Sequence, residues 1–203
     1  MTPSDIETQS FAIIDREAGP HPFSPNEWQI VRRMIHTSAD FEYMKTVRFH
    51  PDAISKGIQA IREGRLIITD TTMAQHGINA AALTPFGCHV ACLIQDPQVR
   101  QKAQETGDTR AAMAVDAALS AMAGGIYVIG NAPTALMRLM ERIREASATP
   151  ALVIGVPVGF VNAAESKATL VAMNYPSISN VGRKGGSTVA VSIVNALARL
   201  AEK

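Results

Sequence analysis

Few side chains in this sequence can move a proton near neutral pH, and its five histidines are the first to consider. His21 lies in a proline-rich turn, His50 precedes Pro51 and His89 begins an apolar run, all settings that suit structural roles. His76, in TTMAQHGI, either caps a short helix ending at Gly77 or lines a pocket. His36, in RRMIHTSADFEYMK, stands where an apolar helical pattern gives way to Thr37, Ser38 and Asp40. One reading makes it a cation favoured by the C-terminal dipole of a helix over Trp28 to Ile35, an effect of about 0.3–1 kcal/mol. The other makes it a general acid, because the same dipole favours the imidazolium. Local physics leaves both open.

A second set of residues suits the recognition of anions. Gly130-Asn131-Ala132-Pro133-Thr134, Pro157-Val158-Gly159-Phe160-Val161-Asn162 and Gly182-Arg183-Lys184-Gly185-Gly186-Ser187 each follow a short apolar run, as does Asp70-Thr71-Thr72-Met73. Glycine lets backbone approach a ligand, and a helix that starts there aims unpaired N–H groups at it. Taken singly, each stretch also reads as turn chemistry: Pro133 at a first helical position, Asn162 or Ser187 as an N-cap, Asp70 as a strand-end residue. Arg183 and Lys184 are different, since two cations beside a helix N-terminus serve no helix dipole. They are read as contacts for an acidic ligand, which the four loops together can ring.

The elements that must position these loops follow from periodicity. RLIITD, HVACLI, GIYVIG, ALVIGVPVG and a weaker SISNVG are short runs rich in β-branched residues, as expected of strands covered on both faces. Between them Leu136, Leu139, Met140 and Ile143 recur at helical spacing, as do Ala112, Val115, Leu119 and Met122 after a start at Asp108 or Thr109. Ile193, Leu197 and Leu200 mark the last helix, and Asp52 to Glu63, closed by Gly64, an earlier one. Alternation of this kind predicts a three-layer α/β domain, residues 1–203, with a parallel five-stranded sheet. Ile6 to Glu17 and Trp28 to Ile35 read as helices packed on an edge or over the top, with no strand expected in the first sixty or so residues. Ala117 to Met137 is uncharged and long enough for a membrane span, but Gly124-Gly125 and Gly130 to Pro133 break it into soluble-core elements.

Several function classes are excluded. Nineteen basic against 18 acidic residues give a net charge of +1, too little for a global field that holds nucleic acid or a membrane. Cys88 and Cys92, both within CHVACLI, are read as buried thiols on one face of a strand, not as a disulfide framework or zinc site. The first residues, MTPSDIETQSF, lack the pattern of a signal peptide, so a reduced cytoplasm is expected. No G-x-G-x-x-G occurs, Gly125 to Asn131 carries asparagine where a phosphate-binding lysine belongs, and H-E-x-x-H and G-x-S-x-G are both missing. No cofactor and no protein-bound metal are expected, which leaves proton transfer as the available chemistry.

Six blocks, in order, resemble the precorrin-8X methylmutase family: SFAIID from Ser10, RRMIHTSADFEY from Arg32, TDTTMAQHGIN from Thr69, IGNAPTAL from Ile129, GVPVGFVNAAESK from Gly155 and GRKGGSTVAVSIVNAL from Gly182. The resemblance implies an isomerase of vitamin B12 biosynthesis, moving a methyl group from C-11 to C-12 of a tetrapyrrole. It implies a flavodoxin-like fold and a homodimer. The family's catalytic acid/base falls on His36 and a substrate contact on Ser10. Thr72, Arg183 and Lys184 are then expected to orient the acidic ring, while the Asn131 and Gly159 loops shape its pocket. The wording DTTMA, HTSADFEY and GRKGGS leans toward the branch that uses cobalt-precorrin-8. Asn162 departs from the glycine of the family pattern. Two rivals are a corrinoid carrier without catalysis, which the same loops would suit, and a flavin protein, against which the 5% aromatic content argues.

Overall fold

The computed structural model describes residues 2–203. Its helices are α1 (Pro3–Ala18), α2 (Pro25–Ser38), α3 (Tyr43–Thr46), α4 (Ala53–Arg62), α5 (Thr72–Gly77), α6 (Ala80–Leu83), α7 (Pro97–Thr106), α8 (Arg110–Ala117), α9 (Pro133–Arg144), α10 (Ala163–Ala172) and α11 (Ser187–Ala201). Its strands are β1 (Val47–Phe49), β2 (Ile67–Thr69), β3 (Val90–Ala91), β4 (Ile126–Ile129), β5 (Leu152–Gly155) and β6 (Ser177–Asn180). They form one sheet of six, ordered β1-β6-β5-β4-β2-β3.

The five strands read from the sequence are all present and pair in parallel, but the sheet is neither five-stranded nor wholly parallel. β1 adds an antiparallel edge, with Val47 opposite Asn180 and Phe49 opposite Ile178. Three residues are too few to show a period. Arg48, exposed and hydrogen-bonded through its guanidinium to the carbonyls of Lys45 and Val47, is the kind of charge that blunts a sheet edge. β3 is shorter than HVACLI suggested, so Cys88 and Cys92 lie outside it and do not share a strand face. Cys88 is buried, its thiol donating to the Ile61 carbonyl at 3.2 Å, and Cys92 is half-buried.

Successive strand residues alternate between two cores. Ile67, Ile126, Val128, Leu152, Ile154 and Ile178 face α2, α4 and α11, whereas Ile68, Tyr127, Ile129 and Val153 face α8 and α9. Each fully buried isoleucine or leucine here contributes about 1.5–3 kcal/mol. The three layers are therefore helix, sheet, helix, with α1 packed on the outside of α2.

α2 carries the histidine of interest, and both its ends are specified. Ser24 and Glu27 form a reciprocal capping box, the Ser24 N–H donating to Glu27 Oε2 at 2.8 Å. Ile30, Val31, Met34 and Ile35 bury one stripe. Ala39 ends the helix in a left-handed conformation, φ 53°, its N–H donating to the Ile35 carbonyl at 2.7 Å. His36 thus falls in the last turn, beside the buried stripe and open to solvent.

Candidate functional site

In the parallel part of the sheet the connections reverse direction between β2 and β4, and the crevice beyond the carboxyl ends of such strands is where ligands sit. The four loops named in the sequence converge there. Thr71 Oγ1 and Ser187 Oγ are 2.9 Å apart, the Val158 N–H donates to the Gly130 carbonyl at 3.3 Å, and the Gly159 N–H donates to the Arg183 carbonyl at 3.1 Å. Gly186 closes the ring by donating to the Val156 carbonyl at 2.9 Å. Gly185 must be glycine: its φ is 154°, and a Cβ would lie 2.1 Å from the Val156 carbonyl oxygen.

Two basins lie on either side of the Thr71–Ser187 bridge. One, of about 380 Å³, is lined by Asp70, Thr72, Thr109, Arg110, Asn131 and Ala132 among others. The other, of about 220 Å³, lies between α2, α5 and α11 and is lined by Arg33, Thr37, Met73, Ser187 and Val191 among others. A larger cavity, about 770 Å³, is bounded by Ser24, Phe49, His50, Ile54 and Ile58. It opens at the amino ends of the parallel strands, since the His50 N–H bonds the Ser177 carbonyl where β6 begins. That is the wrong end of the sheet for the convergent loops, so size does not identify the site.

Asp70 is more than a strand-end residue. Its carboxylate accepts the N–H groups of Gly130 at 3.1 Å and of Asn131 and Ala132 at 2.8 Å each, holding the loop that precedes α9. The amides at that helix N-terminus, expected to meet a ligand anion, are met by the protein's own carboxylate. Burial pushes Asp70 above the ordinary carboxylate range, and the three amide donors only partly offset this. Asn131 keeps an exposed side chain at the rim, in the same basin as Thr72.

Lys184 differs from the open cation expected. Its ammonium sits 2.5 Å from Asp40 and 2.7 Å from Glu42, and these carboxylates hold its pKa above the usual lysine value. It thereby ties the β6–α11 loop to the segment that follows α2. Exposed ion pairs add little to stability, so Lys184→Met is expected to shift the thermal midpoint by no more than about 3 °C, read by circular dichroism. Arg183 remains exposed, its guanidinium 5.4 Å from the centre of the Phe160 ring. Phe160 and Val161 are themselves 83% and 77% exposed, an apolar surface beside a cation.

His36 packs edge-on against Phe11, ring centres 5.2 Å apart, and no hydrogen-bond partner for its nitrogens is found among the described residues. Ser10, half-buried on α1, precedes that phenylalanine. Arg32 and Arg33 flank the Phe11 ring at 4.4 and 5.0 Å. Arg33 is also paired with Glu7, which Arg199 shares. The structure therefore groups the expected residues in three places: Thr72 with Asn131, Gly159 with Arg183, and His36 against Phe11 of α1, the residue after Ser10. Lys184 bridges from the second group toward the segment after His36.

The backbone at Asn162 suits asparagine as well as the glycine that the resemblance leads one to expect there. This residue precedes α10 with φ 59°, a left-handed conformation that glycine adopts freely and asparagine tolerates best among other residues, and its side chain makes no capping bond. Gly186, not Ser187, holds the N-cap position of α11. Arg110 is a residue the sequence reading missed. It opens α8 with its side chain exposed at the 380 Å³ basin and no ion-pair partner among the described residues. A cation in the first turn of a helix opposes the dipole, the same signal that singled out Arg183.

Comparison with known proteins agrees with this arrangement. A family model described as precorrin-8X methylmutase matches residues 5–200. The cobalt-precorrin-8 methylmutase of Priestia megaterium is 48% identical over 202 residues, spanning 100% of this chain and 90% of that protein. The protein of the same description from Leptospira interrogans is 45% identical, spanning 98% and 94%. The precorrin-8X methylmutase of a Sinorhizobium species is 40% identical, spanning 96% and 93%. The solved structure of the Thermus thermophilus precorrin-8X methylmutase superposes with a TM-score of 0.92 at 48% identity, covering 98% of this chain and 96% of that one. The chain belongs to the precorrin-8X methylmutase family.

Proposed function

We propose that this chain is the isomerase that moves a methyl group from C-11 to C-12 of the precorrin-8 macrocycle, with cobalt-precorrin-8 as the favoured substrate. The bond from the methyl to C-11 breaks as the bond to C-12 forms, so no atom or electron is gained or lost and the protein needs no cofactor for the shift. His36 in its protonated form donates to the ring C region, drawing electron density toward the migration site, and recovers the proton afterwards. The observation that carries this role is its imidazole, exposed at the end of α2 with no hydrogen-bond partner for either nitrogen among the described residues.

The macrocycle carries acetate and propionate arms. Arg110 and Arg183 are the exposed cations suited to them, with Ser10, Thr72, Asn131 and the Gly159 loop as polar and backbone contacts. The parallel part of the sheet, β3-β2-β4-β5-β6, has the order 2-1-3-4-5 when its five strands alone are numbered along the chain, which supports a flavodoxin-like scaffold. We infer a cytoplasmic homodimer, whose second copy and bound ring would together cover Phe160, Val161 and Met73, the last 66% exposed.

Incubating the protein with precorrin-8X and with cobalt-precorrin-8 tests the reading. Conversion to the hydrogenobyrinic or cobyrinic acid chromophore is expected, faster for the cobalt form, whereas binding without spectral change would indicate a carrier. Arg110→Ala and Arg183→Ala are each expected to raise KM about tenfold with kcat within about threefold, the loss of one charge-assisted contact.

A further inference from the structure

Lys167 is a buried lysine in a place the expected chemistry does not use. It lies on α10 with Ala163, Ser166 and Leu170, on the face turned into the protein, and is 0% exposed. Its ammonium donates to the Lys184 carbonyl at 2.5 Å and to Asn180 Oδ1 at 3.3 Å, and among the described residues it pairs with no carboxylate. Burial lowers its pKa to about 8. A lysine held this way costs folding free energy, so a merely structural explanation is weak: an apolar side chain of the same length would fill the volume at lower cost.

The Lys184 carbonyl also accepts from Asn180 Nδ2 at 2.8 Å. One peptide group in the middle of the β6–α11 loop is thus fixed from below by two donors, while the Lys184 side chain is fixed from above by Asp40 and Glu42. The same loop carries Arg183, whose carbonyl accepts the Gly159 N–H. Because a trans peptide points its C=O and N–H in opposite directions, a carbonyl drawn inward turns the Gly185 N–H outward. No acceptor for that N–H is found among the described residues.

We propose that Lys167 is a positioning residue for substrate: by anchoring the Lys184 carbonyl it sets the conformation in which the Gly182–Gly186 loop presents Arg183 and its backbone N–H groups to the ring. The proposal rests on the reading that this loop contacts the macrocycle. Lys167→Met keeps the volume and deletes the donor. It is expected to raise KM for cobalt-precorrin-8 about tenfold, the scale of one charge-assisted hydrogen bond, and to leave kcat within about threefold.

Lys167→Arg, which retains a charged donor, is expected to recover most of the loss. Combining Lys167→Met with Arg183→Ala should give much less than the product of the single effects, because both act through one loop. A KM within twofold of the parent in folded Lys167→Met would overturn the proposal, as would a fully multiplicative double variant. Should the methionine variant not fold, Lys167→Gln is measured instead, with the same two outcomes. An unchanged KM in Arg183→Ala alone would instead remove the reading of the loop as a substrate contact, so the two failures are told apart.

Discussion

Replacing His36 with alanine is expected to lower kcat by about 10²–10⁴, the usual contribution of a positioned general acid or base. The protein should barely register the change. The imidazole is exposed and its contact with the described residues is the edge of Phe11, so stability is expected to fall by about 1 kcal/mol or less. Ring binding, which the proposed function assigns to cations and backbone groups elsewhere, should survive, and titration with the product corrinoid measures it directly. His36→Asn separates two roles: asparagine can still donate a hydrogen bond but cannot release a proton at neutral pH. If proton transfer is the role, the asparagine variant is as slow as the alanine variant. If it retains most of the activity, His36 acts by hydrogen bonding alone, and near-normal turnover in His36→Ala would remove the catalytic assignment altogether.

The parts of this protein that are legible in its sequence are those with a repeated physical signature. Fully covered strands such as Ile126–Ile129 and Leu152–Gly155 show as uncharged β-branched runs, and α9 shows its buried stripe through Leu136, Leu139 and Met140. Loops at the carboxyl edge are legible because glycine, asparagine and proline cluster where strands end. What escapes are features set by a partner distant in the chain. β1 exists because Asn180 and Ile178 offer an open edge to Val47 and Phe49, which no local pattern of three residues reveals. Lys184 looks like a free cation until the chain is folded, since its two carboxylates come from Asp40 and Glu42. Lys167 could have been suspected, a lysine at helical spacing between Ala163 and Leu170, but its acceptor comes from the loop beyond β6.

Asp70 is the residue whose removal should cost the fold most directly. Alanine there leaves the N–H groups of Gly130, Asn131 and Ala132 without their acceptor, and Gly130 is buried, so water cannot fully replace the carboxylate. Since unmade hydrogen bonds to a buried group cost about 1–3 kcal/mol and the other two amides are partly open to solvent, a loss of about 2–4 kcal/mol is expected from denaturant unfolding. The loss should depend on pH in a stated direction. Burial raises the folded-state pKa of Asp70 above its ordinary value of 3.8. A group raised on folding contributes most below its unfolded pKa and less as pH climbs through the folded value. The stability gap between the parent and Asp70→Ala should therefore be widest below the unfolded value of 3.8 and narrow as pH rises through the folded value. Carboxylates whose pKa is lowered, among them Glu7 and Asp40, weaken both proteins alike in acid and cancel in the difference. A gap that widens with rising pH would mean that the three amide donors outweigh burial and hold Asp70 ionised. In either case the variant should also turn over slowly, because the loop that Asp70 secures places Asn131 at the rim of the basin shared with Thr72.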